Sequence, residues 1–277
     1  MFKQKRAVGL FPNYLILVLL AFFALGPTSS LLFNSFKGAA EIGKNPLGLP
    51  SKILWENYPN AWEIGNFAKT VPNSLTLVAG TILGVLLLGG MAAYTLARLN
   101  IPGGGMLMLY FLVVSSLPIQ LFLVPLFFMW RSLHLVNNLF GLIIIYIAID
   151  SPFAIFLLRS YFVQIPTALD DAARIDGAND WMIFRHIIVP LCWPAFLSVG
   201  LIVGMGVWNE FMLATVFLTE PRLFTVVTSY FNFTSQHSRD WGLTSAGATM
   251  MVVPLVVLFL LLQRQFIEGL TQGSLKG

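Results

Sequence analysis

The chain has 277 residues, of which 57% are hydrophobic and 10% charged, with a formal net charge of +4. Soluble domains carry about 25% charged residues, so this composition excludes an ordinary aqueous globule and points to lipid as the solvent for most of the chain. The Lys and Arg residues sit mainly at the ends of apolar runs, where membrane-orientation signals belong, which argues against a nucleic-acid partner; the lone Cys192 excludes an internal disulfide and a Cys-rich metal site.

Six apolar runs, approximately 13–35, 71–97, 105–130, 138–160, 191–218 and 245–264, are long enough to cross about 30 Å of hydrocarbon at about 1.5 Å per residue. The expected fold class is therefore all-α integral membrane. The first run follows Lys3, Lys5 and Arg6. A cleaved signal peptide is the alternative there, because Ala24-Leu25-Gly26 resembles a small-residue cleavage site. The apolar stretch continues past Pro27 to Phe33, too long for a signal core. No further cation follows until Lys37, so the N-terminus is expected in the cytoplasm, and six spans return the C-terminus there. Lys3, Lys5, Arg6, Arg98, Arg159, Arg174, Arg185, Arg264 and Lys276 then fall on the cytoplasmic side. The remaining Lys and Arg are nearly as numerous, so the first span carries most of the orientation argument.

Residues 36–70 read as an external lid or short interfacial helix. Pro27, Pro118, Pro125, Pro152, Pro194 and Pro254 lie inside runs, where membrane helices tolerate proline if neighbours re-satisfy the freed carbonyls. Gly80/Gly84 and Gly200/Gly204 are small-xxx-small pairs that let helix backbones approach closely, inside this chain or against a partner subunit. Residues 219–244 form a second external loop; its Asn232-Phe233-Thr234 matches a glycosylation acceptor, which matters only in a secretory pathway.

Between the fourth and fifth runs, residues 163–190 are charged and punctuated by glycine. Pro166 suits the first turn of a helix, and Asp170 and Asp171 suit its positive end. Gly177 ends it as a C′ glycine, and Asn179 or Asp180 can cap a second helix. On that helix Trp181, Phe184 and Ile188 recur at i, i+3 and i+7. The expectation is a cytoplasmic helix–turn–helix elbow, with Ala172, Ala173 and Ala178 around a tight bend. An ordinary loop lying on the membrane surface is the competing reading.

The stretch "DDAARIDGANDWMIFRHIIVPLCWPA" resembles the EAA loop of ABC-importer membrane subunits. Asp171-Ala172-Ala173 takes the place of EAA, Asp176-Gly177-Ala178 that of DGA, and Phe184, Ile187 and Pro190 follow in the family's order. "VWNEFMLATVFL" (Val207–Leu218) and the ending "LQRQFIEGLTQGSLKG" (Leu262–Gly277) are similar to the second permease of the carbohydrate-uptake, maltose-type branch. The resemblance covers roughly residue 60 onward. It implies the type I importer fold and an ATPase-coupling loop formed by Asp171, Ala172, Ala173, Asp176, Gly177, Ala178, Phe184 and Pro190. It also implies four partners: a second permease making a heterodimer, an ATPase dimer, an extracytoplasmic sugar-binding protein and the sugar itself. The family's glutamate becomes Asp171 here, one methylene shorter, which leaves the length and identity of its ion pair open.

No G-x-x-x-x-G-K-[ST] or other phosphate cradle is present; Gly103-Gly104-Gly105 has no lysine or Ser/Thr behind it. ATP and Mg are therefore expected on the separate ATPase, with no cofactor in this chain. His134, His186 and His237 are dispersed without zinc-site spacing, so no metal site is expected.

Asp150, within the fourth run, and Glu210, in the fifth beside Trp208 and Asn209, are costly in lipid. As a translocation path, Asp150, Trp208, Asn209 and Glu210 would line the sugar route, with the carboxylates accepting hydrogen bonds from sugar hydroxyls and Trp208 stacking on a pyranose face. A structural polar pair or a contact with the partner permease is the bland alternative. Two other function classes compete with the importer permease. A proton-coupled secondary transporter would use Asp150 and Glu210 as relays. A membrane enzyme would need clustered nucleophiles, bases or metal ligands, which the sequence lacks.

Overall fold

The structure is a computed structural model that describes the backbone of residues 2–237 and 239–274, and side chains over 12–237 and 239–264. The side chains of Lys3, Lys5 and Arg6, Lys276, and the part of the C-terminal tail beyond Arg264 lie outside the described residues. Among the described residues the chain is helical, with no strand.

Four helices are long and apolar enough to cross a membrane on their own: Pro12–Asn34, Phe67–Arg98, Leu139–Phe162 and Trp241–Arg264. In chain order, α1 is Phe2–Asn34, α2 is Ala39–Lys44, α3 is Asn57–Ile64 and α4 is Phe67–Arg98. Helix α4 contains a π turn at Val85–Gly89. Next come α5, Gly104–Ser115, and α6, Ile119–Ser132. Then follow α7, Leu139–Phe162, α8, Ala168–Ile175, and α9, Asp180–Leu191. The last four are α10, Trp193–Asn209, α11, Met212–Phe217, α12, Val226–Gln236, and α13, Trp241–Ser274.

The third and fifth apolar runs are not continuous helices. Helices α5 and α6 meet at a bend of 85°, and α9 and α10 at one of 80°. Proline explains both. Pro118 has no N–H and drives the residue before it out of the helical region, so α5 stops at Ser115. Pro190 and Pro194 flank the second break, where Cys192 takes φ −101° and ψ 15°. The fifth run breaks again at Glu210, whose ψ of 127° is extended. Counting each bent pair as one span gives up to six.

The chain forms two compact units. In the first, residues 1–67 and 230–254, Lys37 is fully buried and its ammonium donates to Asn34 Oδ1 at 3.0 Å and the Asn45 carbonyl at 2.9 Å. Asn57 Nδ2 donates to the Ser35 and Lys37 carbonyls at 2.9 and 3.0 Å. A small core of Ala61, Phe233, Leu243 and Ala246 completes this unit.

In the second unit, residues 68–229 and 255–277, the core is built by α4, α7, α9 and α10 around Leu142, Leu158, Phe162, Ile183 and Val199. Both glycine pairs pack inside it. A Cβ on Gly80 would stand 2.6 Å from Ile143 Cδ1, and Gly84 lies against Ile147, so α4 and α7 touch backbone to side chain. Gly204 does the same for α10 on α4, where a Cβ would stand 2.9 Å from Ile82 Cδ1. Without water to exclude, such close approach is what holds helices together in lipid.

Candidate functional site

Two features of the second unit carry the sequence-predicted residues. The first is the elbow. Helix α8 ends at Ile175, and Gly177 follows with φ +85°, in the left-handed region that glycine enters without a Cβ penalty. The Asn179 side chain then accepts from the Met182 N–H at 2.9 Å and caps α9. Arg174 and Asp180 pair across the bend; the carboxylate pushes the guanidinium further above its ordinary range.

Burial divides the elbow in two. Asp171, Ala172, Asp176 and Gly177 are exposed, and Ile175 at the tip is 86% exposed. Ala173 and Ala178 are half-buried against the core, Phe184 is buried and Pro190 is exposed. Of the expected apolar stripe, Phe184 and Ile188 face inward, while Trp181 is half exposed and leans on Phe184 with ring centres 5.7 Å apart. A π turn at Phe184–Ile188 precedes Pro190. The result is a core-anchored base under an accessible tip of small residues with one bare isoleucine.

The elbow is also bound to α4, which sequence reasoning missed. Arg98 Nε lies 3.2 Å from Asp170 Oδ2, and both side chains are buried. Asp170 had an evident role only as a helix-start charge, and its place beside the motif gave no sign of a partner at Arg98.

The second feature is a cavity of about 470 Å³, a size suited to a small molecule. Gln120, Tyr146, Asp150, Asn209 and Glu210 supply its polar wall, and Ile119, Ile149, Gly206, Val207, Phe211, Met212 and Leu213 the rest. Asp150, Asn209 and Glu210 are thus brought together. Trp208 is not: it is 5% exposed and does not line the cavity, whose aromatic side chains are Phe211 and Tyr146. The sequence periodicity explains this, since consecutive helical residues point about 100° apart. Gln120 and Tyr146 were missed; Tyr146 stands four residues before Asp150, on the same face of α7.

The two carboxylates differ in their surroundings. Glu210 accepts from the Tyr146 hydroxyl at 2.7 Å and from the Leu213 and Ala214 N–H groups at 2.8 and 2.9 Å. It therefore caps α11 while anchoring it to α7. Asp150 has no hydrogen bond or ion pair among the described residues and faces the cavity half-buried.

Residues 84–272 match the family described as the binding-protein-dependent transport system inner membrane component. The chain is 32% identical to the diacetylchitobiose uptake system permease protein NgcG of Streptomyces coelicolor, over 95% of this chain and 88% of that protein. It is 33% identical to the trehalose transport system permease protein SugB of Mycobacterium tuberculosis, over 92% of this chain and 93% of that protein. A crystal structure of a bacterial ABC transporter involved in import of the acidic polysaccharide alginate shares the fold, with a TM-score of 0.79 at 23% identity over 96% of this chain and 99% of that one. Proton relay by Asp150 and Glu210 finds no support in these relatives. With a helical membrane fold, an elbow carrying the Asp171–Ala178 motif and this breadth of similarity, the chain belongs to the family of binding-protein-dependent inner membrane components: it is a permease subunit of an ABC importer, with no catalysis of its own.

Proposed function

We propose that the chain forms one half of the path by which a di- or oligosaccharide, or a sugar-like solute, enters the cell. A second permease supplies the other half. A soluble sugar-binding protein delivers the substrate on the outer side, and an ATPase dimer holding ATP and Mg docks on the elbow residues Asp171, Ala172, Ala173, Asp176, Gly177 and Ala178, with Phe184 and Pro190 setting the base. The whole of 1–277 acts as one transmembrane domain of six spans, with both termini and the 163–190 loop in the cytoplasm.

The observation that carries the coupling role is the division of the elbow into an exposed tip and a buried base. A lever needs a surface to be pushed and a rigid attachment to what it moves; Ile175 and Gly177 offer the first, Phe184 and Ile188 the second. The cavity supports the sugar reading. Saccharides present rows of hydroxyls and apolar ring faces, and Gln120, Asn209 and Asp150 beside Phe211 offer complementary acceptors, donors and an aromatic surface.

The test is reconstitution of this chain with the second permease, the ATPase and the binding protein in vesicles, with uptake measured for labelled trehalose, diacetylchitobiose and arabino-oligosaccharides. ATP-dependent accumulation that requires every component is the expected result. Uptake by this chain alone, collapsing with an uncoupler, would overturn it.

A further inference from the structure

We infer that Arg98 and Asp170 form the joint through which movement of the elbow reaches span α4, a positioning role that rests on the reading of Asp171–Ala178 as the ATPase-docking element. Arg98 is the last residue of α4, and Asp170 stands in the first turn of α8, immediately before the docking motif. Their side chains are 4% and 9% exposed, with Nε 3.2 Å from Oδ2. The same guanidinium donates through Nη2 to the Ile165 carbonyl at 2.7 Å, so it grips the linker entering α8 as well as α8 itself. A planar fork held at two points resists rotation as well as pulling. Arg159 of α7 donates through Nε to the Leu96 carbonyl at 3.2 Å, tying a third helix to the same turn of α4.

Elsewhere among the described residues the ion pairs are exposed: Arg174 with Asp180, which joins α8 only to α9, and Arg222 with Glu220. Exposed pairs are held loosely and screened by water, so the buried pair is the stiff ionic link between the elbow and a span. It also has room to re-pair. The Nε approach lacks hydrogen-bond geometry, Asp170 Oδ1 is buried without a hydrogen-bond partner, and so is the Tyr94 hydroxyl one turn earlier on α4. Buried polar atoms favour any arrangement that satisfies them. The joint can thus exchange one set of contacts for another as α8 shifts, without letting go.

The experiment uses the assembled transporter in nanodiscs, with an ATPase variant that binds ATP without hydrolysing it. Met212→Cys, on a Cys192→Ala background, puts a thiol on the cavity wall, and its labelling by a membrane-impermeant maleimide is followed with and without ATP. With the joint intact, ATP is expected to change the labelling rate several-fold. Arg98→Gln and Asp170→Asn are expected to retain the ATPase on co-purification yet abolish the ATP response, and the exchange Arg98→Asp with Asp170→Arg to restore it. A response surviving in both single variants overturns the joint. So does loss of the ATPase from them, which would mean the pair holds the docking surface together rather than passing movement on. An exchange that leaves the response abolished assigns the loss to packing and overturns it as well. If the response is absent with the joint intact, or persists in Gly177→Pro, the coupling reading itself fails and the joint with it.

Discussion

The Tyr146 hydroxyl donates to Glu210 Oε2 at 2.7 Å, tying the middle of α7 to the break that separates α10 from α11. Glu210 also holds the Leu213 and Ala214 N–H groups. Glu210→Ala would leave three donors without their acceptor, each costing about 1–3 kcal/mol if water cannot reach it. The purified permease pair is expected to melt several degrees lower, and Tyr146→Phe, which removes one bond cleanly, to cost only about 1 kcal/mol. A thermal melt followed by intrinsic fluorescence distinguishes the two; equal losses would place the role of Glu210 outside the cap.

Asp150 has no partner to lose. A charge near the centre of a span costs about 2.5–3.5 kcal/mol on insertion scales. Asp150→Asn is therefore expected to leave melting unchanged or raise it, while weakening sugar uptake through a higher KM. Initial rates against saccharide concentration in proteoliposomes check this. Lower stability with unchanged uptake would make Asp150 a structural residue.

Gly177 sits at φ +85°. A side chain there costs about 1–2 kcal/mol of backbone strain, and proline is excluded because its ring fixes φ near −65°. Gly177→Pro is expected to insert normally and to uncouple ATP hydrolysis from uptake, with Gly177→Ala milder. Parallel assays of phosphate release and uptake give the ratio; an unchanged ratio in Gly177→Pro contradicts the lever.

Gly84 lies against Ile147 with no space for a Cβ. Overpacking of this kind costs about 1–3 kcal/mol. Gly84→Ala is expected to lower the melting temperature of the permease pair, and Ile147→Ala in the same chain to recover part of the loss. Melts of the single and double variants measure the coupling between the two positions. Additive losses would mean that the two helices do not meet there.

Much of this was legible because lipid and tight turns leave strong marks on a sequence. The first, second, fourth and sixth apolar runs fall on the four helices long and apolar enough to cross a membrane, since hydrocarbon demands length and composition. Gly177 and Asn179 locate the elbow, because a left-handed turn and an N-cap each favour few residue types. The side on which each polar residue falls was less legible. Trp208 and Glu210 are two positions apart, yet one is buried and the other reaches the cavity, because the helix ends between them at Asn209. The prolines, read as tolerable within the runs, did not announce the 85° and 80° bends, which depend on what each half packs against. The Arg98–Asp170 pair joins residues far apart in sequence, and no local pattern announces it.

The π turn at Val85–Gly89 has a consequence for phase along α4. A π turn carries one surplus residue, and each residue of an α-helix advances the azimuth by about 100°. Upstream of it, Gly80 and Gly84 look at α7; downstream, Tyr94 faces Phe184 and Arg98 faces Asp170. Excising a single residue from 85–89 would restore a regular winding and swing everything beyond it by that angle, turning the basic terminus away from its acid while leaving the glycine seam in register.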